Sequence, residues 1–178
     1  MTSPIYFDTD CISAFLWVDG QSLITKLYNG RVYIPYEVYS ELSHPAVSNL
    51  KNRIDSMVNS GEAYIETMEV LSAEYSLYLR LTNYTGTNKV IGKGEAACLA
   101  LAKYRSGIVA SNNLKDISKY LEEYELSNIT TGDIIADAVE GGLINEEKAE
   151  EIWKDMLDKK RLLGAASFNE YKNNFKDE

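Results

Sequence analysis

The sequence has few of the residues that build disulfides, zinc sites or histidine-based catalysis. Its 178 residues include only two cysteines, Cys11 and Cys98, and one histidine, His44. Both cysteines lie in apolar segments, so we interpret them as buried thiols of a reduced, cytoplasmic protein. A zinc site is not expected, because His44 is the one remaining soft ligand. His44 also precedes Pro45 and no Gly-x-Ser-x-Gly elbow is present, which argues against a catalytic triad.

Long apolar runs and an excess of positive charge are also missing. No segment approaches the roughly 20 apolar residues of a membrane span, and the N-terminus lacks a basic region followed by an apolar core. We therefore expect a soluble protein that is not exported and has no membrane partner. The formal net charge of -9 argues against a nonspecific nucleic-acid coat protein, which needs lysine and arginine to neutralise phosphates. It does not exclude a metal-dependent nuclease, because such a site is built from carboxylates.

The alternation of apolar runs and helical segments predicts a single α/β domain. Short β-branched and aromatic runs are followed by amphipathic segments, which is typical of a three-layer α/β/α fold with a mostly parallel five-stranded sheet. We place the domain over residues 1–166, including a last long helix that Asn145 caps, and expect a loosely docked polar tail over 167–178. The five predicted strands are the run that ends at Asp8 and residues 31–35, 63–67, 107–111 and 128–129.

Carboxylates collect at the ends of predicted strands and at the ends of helices. Asp8 and Asp10 follow the first strand, Glu41 ends the helix after the second, and Glu95 and Asp116 each open a helix. Ligands of open α/β sheets bind at the carboxyl ends of the strands, so we expect these acids to converge there. Carboxylates without histidine or thiolate are the ligands that Mg²⁺ or Mn²⁺ prefers. Such ions activate a water and stabilise charge at phosphorus, so this set favours hydrolysis of phosphate esters.

Other polar segments have simpler interpretations. Five residues rather than four separate Gly86 from Gly92, and no serine or threonine follows Lys93, so a phosphate-binding P-loop is not expected. We interpret Glu37 and Asp133 as solvated or capping acids, and we predict that Asp19 and Ser72 each cap the start of a helix. The basic residues that could contact a substrate are interpreted as mainly solvated helix faces: Lys89, Lys93, Lys115, Lys119, Lys159, Lys160 and Arg161.

Four segments resemble the signature blocks of PIN domains, and they occur in the right order. They are Phe-Asp-Thr-Asp at 7–10, the run 34–42, Gly-Glu-Ala-Ala-Cys-Leu-Ala-Leu-Ala at 94–102, and Ser-Asn-Asn-Leu-Lys-Asp-Ile at 111–117. The Gly-Glu-Ala block is the more specific, being similar to stand-alone prokaryotic PIN proteins, many of which are VapC-like toxins of toxin-antitoxin modules. The Thr-Thr-Gly-Asp segment at 130–133 also looks like the C-terminal part of such proteins.

The resemblance implies a sheet in the order 3-2-1-4-5 and a Mg²⁺- or Mn²⁺-dependent endoribonuclease that cuts single-stranded RNA. Many relatives carry aspartate where Asn112 stands, whereas others have asparagine there and an acid four residues on, here Asp116. Carried over residue by residue, the catalytic acids would be Asp8, Glu41, Glu95 and Asp116. The metal contacts would be Asp8, Glu95, Asp116 and Asn112, and Asp10 and Asn113 would hold the loop and the water around them.

Two alternatives and two partners follow from the same residues. Because Asn112 adds no charge and cannot act as a base, a PIN fold kept as an RNA-binding or protein-binding regulatory module is the first alternative. A phosphatase or flavodoxin-like binder acting on small phosphoesters is the second. An antitoxin protein and a second copy of the chain are candidate partners, with apolar surface from the last helix and from Tyr33, Tyr36 and Tyr39.

Overall fold

The sheet is parallel throughout and has the predicted strand order. The structure, a computed structural model, describes residues 2–83 and 89–175. Its strands are β1 Ile5–Phe7, β2 Val32–Pro35, β3 Tyr64–Glu66, β4 Ile108–Ala110 and β5 Asn128–Ile129. They pair in the order β3-β2-β1-β4-β5. The predicted α/β class and strand order are therefore confirmed.

Helices flank this sheet and connect its strands. A short 3-10 turn, Pro45–Val47, precedes the fourth helix. The helices of the described residues are α1 Thr9–Trp17, α2 Gln21–Leu27, α3 Tyr36–Leu42, α4 Ser48–Asn59, α5 Ala73–Thr82, α6 Lys93–Arg105, α7 Leu114–Tyr124, α8 Thr131–Glu140, α9 Glu146–Asp158 and α10 Phe168–Phe175.

Strand β1 lies at the centre of the sheet and fixes where the first acid emerges. All three of its residues are buried, which suits an apolar strand covered on both faces. Ile5 is in register with Val32 on one side and Ile108 on the other. The ladder extends one bond beyond the strand, because Asp8 N donates to Ala110 O at 2.9 Å. Asp8 is thus held at the carboxyl end of the central strand.

Helix α6 can pack close to α1 and α3 because its second residue, Gly94, has no side chain. Residues 96–102 of this helix are all buried, so it is a core helix for most of its length. A Cβ atom on Gly94 would lie 3.0 Å from Thr9 Oγ1 and 3.1 Å from Val38 Cγ2. A larger residue there would push α6 away from α1 and α3. The close approach places the acid that follows, Glu95, beside the end of β1.

Several helix caps predicted from the sequence are present. Ser72 Oγ accepts from Tyr75 N at 3.1 Å, and Asn145 Oδ1 accepts from Lys148 N at 2.8 Å. Thr130 and Asp133 form a capping box at the start of α8. Each of these side chains satisfies a backbone N–H that the first turn of a helix leaves without an intrahelical partner.

Two acids behave differently from the sequence prediction. Asp19 does not cap α2: its backbone is left-handed with φ of 56°, its carboxylate pairs with Arg53 at 2.5 Å, and Gly20 is the N-cap residue. Glu37 is not a solvated acid either. Its Oε2 atom is buried with no hydrogen-bond partner in the described part of the chain, and burial raises its pKa. The prediction failed because helix α3 presents this face to neighbouring elements, which local sequence does not reveal.

The segment predicted as a loose polar tail contains a docked helix. Phe168 and Tyr171 of α10 are buried, and their rings lie 5.9 Å and 5.3 Å from the Trp153 ring. The Tyr171 hydroxyl also donates to Asp133 Oδ1 at 2.8 Å. Two aromatic side chains three residues apart therefore anchor an otherwise polar helix. The boundary that we drew at residue 166 stays a prediction.

Two further expectations concern the P-loop match and membrane-spanning helices. Gly86, the first glycine of the rejected P-loop match, lies outside the described residues. No helix in ranges 2–83 and 89–175 is long and apolar enough to cross a membrane.

Replacing Gly132 by alanine should undock α10. A Cβ atom at Gly132 would lie 2.2 Å from Tyr171 Cζ, so the ring must leave its position, and overpacking of this kind destabilises by about 1–3 kcal/mol. Gly20→Ala is the steric control, since the nearest atoms to its new Cβ would be 3.4 Å away, an ordinary contact, and it should lose only the preference for glycine over alanine at the N-cap of α2. Urea unfolding measures both variants. Equal stability of Gly132→Ala and the parent would contradict the described docking of α10.

Candidate active site

Asp8 is a buried carboxylate with three constraints on it. It is only 2% exposed and caps helix α1, where its Oδ1 accepts from Cys11 N at 2.7 Å. The Ser111 hydroxyl donates to its other oxygen, Oδ2. Burial raises the pKa of Asp8 to about 7, although the bonds from Ser111 and Cys11 oppose that rise. The charges of Asp10 and Glu95 contribute to the same rise, so a cation bound here would favour the ionised form.

Glu41 is brought to the same edge by the last turn of α3. Its Oε2 atom accepts a hydrogen bond from the Thr9 hydroxyl, which belongs to the first residue of α1. The Cβ position of Gly94 is 3.5 Å from the same oxygen. The absence of a side chain at Gly94 therefore leaves space for Glu41 and Thr9 to meet in front of Asp8.

Asn113 connects the remaining two predicted acids. Its amide nitrogen donates to Glu95 Oε1 at 2.6 Å and to Asp116 Oδ2 at 2.9 Å. The second oxygen of Glu95 accepts from Gly92 N at 3.1 Å at the start of α6. Asp116 also pairs with Lys89, and this hydrogen bond together with that from Asn113 lowers the pKa of Asp116.

The side chain of Asn112 contacts Thr131 and not the acids. Its Nδ2 donates to Thr131 Oγ1 at 2.9 Å, and its Oδ1 accepts from Thr131 N at 2.8 Å. Both ends of the amide are thus engaged with the first residue of α8. A metal contact from Asn112 would require that the bond to its oxygen be shared or broken. Its predicted role as a metal contact stays a prediction.

The acids line one cavity at the carboxyl edge of the sheet, which we call the acidic cavity. Its volume is about 190 Å³, and its lining residues are Asp8, Thr9, Asp10, Glu41, Gly92, Gly94 and Glu95. The structure therefore brings four of the sequence-predicted acids together. Asp116 and Asn112 do not line this cavity. Asp116 is joined to it through the shared contact with Asn113, and Asn112 lines a neighbouring cavity.

The donor set of the acidic cavity fits a hard divalent cation better than a soft one. Its side-chain donors are carboxylate and hydroxyl oxygens, and burial keeps the pKa values of Cys11 and Cys98 well above the usual thiol value. In ranges 2–83 and 89–175, however, no three histidine, cysteine, aspartate or glutamate side chains are arranged so that they could hold a metal ion. Hydrogen bonds from Thr9, Ser111 and Asn113 occupy the carboxylate oxygens instead.

Sequence reasoning missed the neutral donors of this site. The sequence indicates Thr9 and Ser111 only as members of the resemblance blocks. In the structure, the hydroxyl of each donates to an acid that belongs to a different element. Asn113 is predicted to support the metal ligands, and its side-chain amide lies between Glu95 and Asp116 and donates to both. A hydroxyl or amide next to each acid motif was the available signal, but adjacency in sequence does not specify which acid it contacts.

Comparison of the sequence with known protein families supports the fold described above. A protein-family model described as a PIN domain matches residues 4–177. No curated protein matches the sequence.

The raised pKa of Asp8 predicts how stability depends on pH in EDTA. Between about pH 4 and pH 7 the unfolded chain loses this proton while the folded chain keeps it, so the Asp8 contribution falls as pH rises and levels off above about 7. Asp8→Asn removes that titration and preserves a good N-cap. Its stability relative to the parent, measured by urea unfolding, should therefore increase from pH 4 to pH 7.

The matched control for this pH series is Asp155→Asn, which removes an exposed carboxylate on α9. It should follow the profile of the parent. A constant difference between Asp8→Asn and the parent across the range would mean that Asp8 titrates as it does in the unfolded chain.

Proposed function

The chain belongs to the PIN-domain family, whose members are generally nucleases, and we propose that it is a metal-dependent endoribonuclease that hydrolyses phosphodiester bonds of single-stranded RNA. One observation carries the proposal: Asp8, Asp10, Glu41 and Glu95 line a single cavity at the carboxyl end of a parallel sheet. A negative charge here is costly without a cation, because burial first, and then the charges of Asp10 and Glu95, raise the pKa of Asp8.

In this proposal Mg²⁺ or Mn²⁺ is held by Asp8 and Glu95, with Asp116 as the third acid. When bound, such an ion would supply a water of lowered pKa and positive charge opposite the reacting phosphate. The protein groups position these ligands. Ser111 and the Cys11 amide hold the Asp8 carboxylate, and Asn113 holds Glu95 and Asp116 on one side.

Glu41 and Lys89 have distinct proposed roles in the same reaction. Glu41 accepts from Thr9 at the cavity wall, where a carboxylate can accept the proton of an attacking water. Lys89 pairs with Asp116, so it neutralises this acid when no cation is bound. Release of Lys89 would leave Asp116 available to a metal ion and would place a positive charge where a phosphate approaches.

A regulatory module that binds RNA or protein without cutting is the second candidate. Two observations favour it: in the described ranges no three candidate ligands are arranged to hold a metal, and Asn112 is engaged with Thr131 at both ends of its amide. Calorimetric titration with Mn²⁺ separates the two candidates, since only the enzyme requires a bound ion. Activity on small phosphoesters but not on RNA would favour the phosphatase alternative.

A toxin role with an antitoxin partner, or a homodimer, stays a prediction. Of the three tyrosines considered for a partner surface, Tyr36 is 53% exposed. Tyr33 stacks on Tyr64 at 5.1 Å between ring centroids, and the Tyr39 hydroxyl donates to Asp55 at 2.8 Å. The last two are therefore engaged within the chain, and Tyr36 would contribute most to any contact.

Purified protein with Mn²⁺ should cleave single-stranded RNA, and Asp8→Asn should abolish this cleavage. Loss of a direct ligand should exceed the roughly hundredfold losses typical of residues that only support a metal ligand. Gel analysis of an end-labelled RNA measures the rate and the 5'-phosphate ends that are expected. Asp155→Asn, with the same charge change on α9, should cleave at the parental rate. Cleavage by Asp8→Asn at that rate would refute the assignment.

Metal binding should also be measurable in the absence of RNA cleavage. Saturating Mn²⁺ stabilises the folded state, and at a concentration near 100 times the Kd the melting temperature should rise by about 5–10 °C. The shift should be absent in Asp8→Asn and unchanged in Asp155→Asn. Thermal unfolding followed by circular dichroism measures it. An equal shift in all three proteins would place the ion away from Asp8.

A further inference from the structure

A second cavity adjoins the acidic cavity and has cations in its wall. Its volume is about 320 Å³, and its lining residues are Asp10, Asn112, Asn113, Lys160, Arg161 and Leu162. Asp10 lines both cavities, so the two are contiguous along the carboxyl edge of the sheet. We call this second space the basic cavity. The predicted metal chemistry does not use Lys160 or Arg161.

A defined turn fixes the backbone of the two basic residues. Arg161 N donates to Met156 O at 3.0 Å and Lys160 N donates to Leu157 O at 2.8 Å, which together form a Schellman motif at the end of α9. Lys160 occupies the left-handed position of this motif with φ of 60°, where glycine is the usual residue. The Arg161 guanidinium lies 5.9 Å from the centre of the Trp17 ring, which restricts it further.

Both cations keep donor groups that a ligand could reach. Lys160 is exposed, and Arg161 is partly exposed, with its Nε donating to Lys159 O at 3.0 Å. Within ranges 2–83 and 89–175 neither forms an ion pair, whereas Lys89 on the other side of the site is paired with Asp116. An anionic strand approaching four acids in a chain of net charge -9 needs local positive charge. The basic cavity supplies it beside the acids.

We propose that the basic cavity binds the RNA phosphate next to the one that is cut, with Arg161 and Lys160 as its ligands. A guanidinium can donate two parallel hydrogen bonds to a phosphate, and the ammonium acts as a point charge. Leu162, 86% exposed, offers an apolar contact to the adjoining ribose or base. The inference rests on the proposed function, because it takes the acidic cavity as the place of cleavage.

The test compares RNA binding by two variants of the full chain that lose the same charge. Fluorescence anisotropy with a labelled single-stranded oligouridylate, in EDTA and at several salt concentrations, measures affinity without cleavage. Lys160→Gln with Arg161→Gln should weaken binding by about tenfold and reduce the slope of log K against log salt by about 0.7 for each phosphate that is no longer neutralised. Lys154→Gln with Lys159→Gln, on the same helix end but outside the cavity, should bind like the parent.

A single substitution separates binding from folding. Lys160→Gly removes the cation but fits the left-handed position of the turn better than lysine. Its melting temperature should equal or exceed that of the parent, while its RNA affinity falls. A lysine that only stabilised the turn would give the reverse pattern, with a lowered melting temperature and an unchanged affinity. Parental affinity in Lys160→Gly and in the double variant would overturn the inference.

The outcomes also separate this inference from the proposed function. RNA cleavage by the Lys160→Gln, Arg161→Gln variant with unchanged affinity and KM would leave the nuclease in place and refute the basic cavity. RNA binding that depends on Lys160 and Arg161 in a parent that does not cleave would keep the cavity and refute the nuclease. A parent that binds no RNA at any salt concentration would refute the cavity.

Discussion

The buried carboxylate of Asp8 is the constraint on which the rest of the site depends. It stands at the end of a strand with neighbours on both sides, so it can be reached only by groups at the adjoining strand ends and by the helices that start there. Ser111, which follows β4, supplies one hydrogen bond and the first turn of α1 supplies the other. These bonds do not offset burial, as the raised pKa shows. The site is therefore organised around a charge that is incompletely stabilised.

Neutral donors allow the other acids to approach this charge. Thr9 binds Glu41, and Asn113 binds Glu95 and Asp116 together. Thr9 of α1 contacts Glu41 of α3, and Asn113 at the start of α7 contacts Glu95 of α6, so these contacts also fix the helices relative to one another. Hydrogen bonds of this kind stabilise the charged form of a carboxylate. In the proposed metal site, a cation would take over this role from the neutral donors.

The sequence predicted the elements well and their detailed contacts poorly, for physical reasons. Caps such as Ser72 and Asn145 depend on residues three positions away, so local sequence determines them. The strand order came from the resemblance of four motif blocks. The difference between Asn112 and Asn113 could not be predicted, because adjacent residues in a turn face different neighbours, and Thr131, 19 residues along the chain, is what engages Asn112. The docking of α10 likewise depends on the distant pair Tyr171 and Asp133.

The arrangement of charges along the carboxyl edge of the sheet describes this surface better than the net charge does. An overall value of -9 would repel RNA if it were spread evenly, yet interactions beyond about 10 Å are largely screened at ordinary salt. A bound RNA strand would therefore interact mainly with the charges close to it. At the carboxyl edge the acids of one cavity adjoin Lys160 and Arg161 of the next, with Asp10 between them. A cation in the first cavity would offset part of its negative charge, so binding of metal and binding of RNA are expected to reinforce each other.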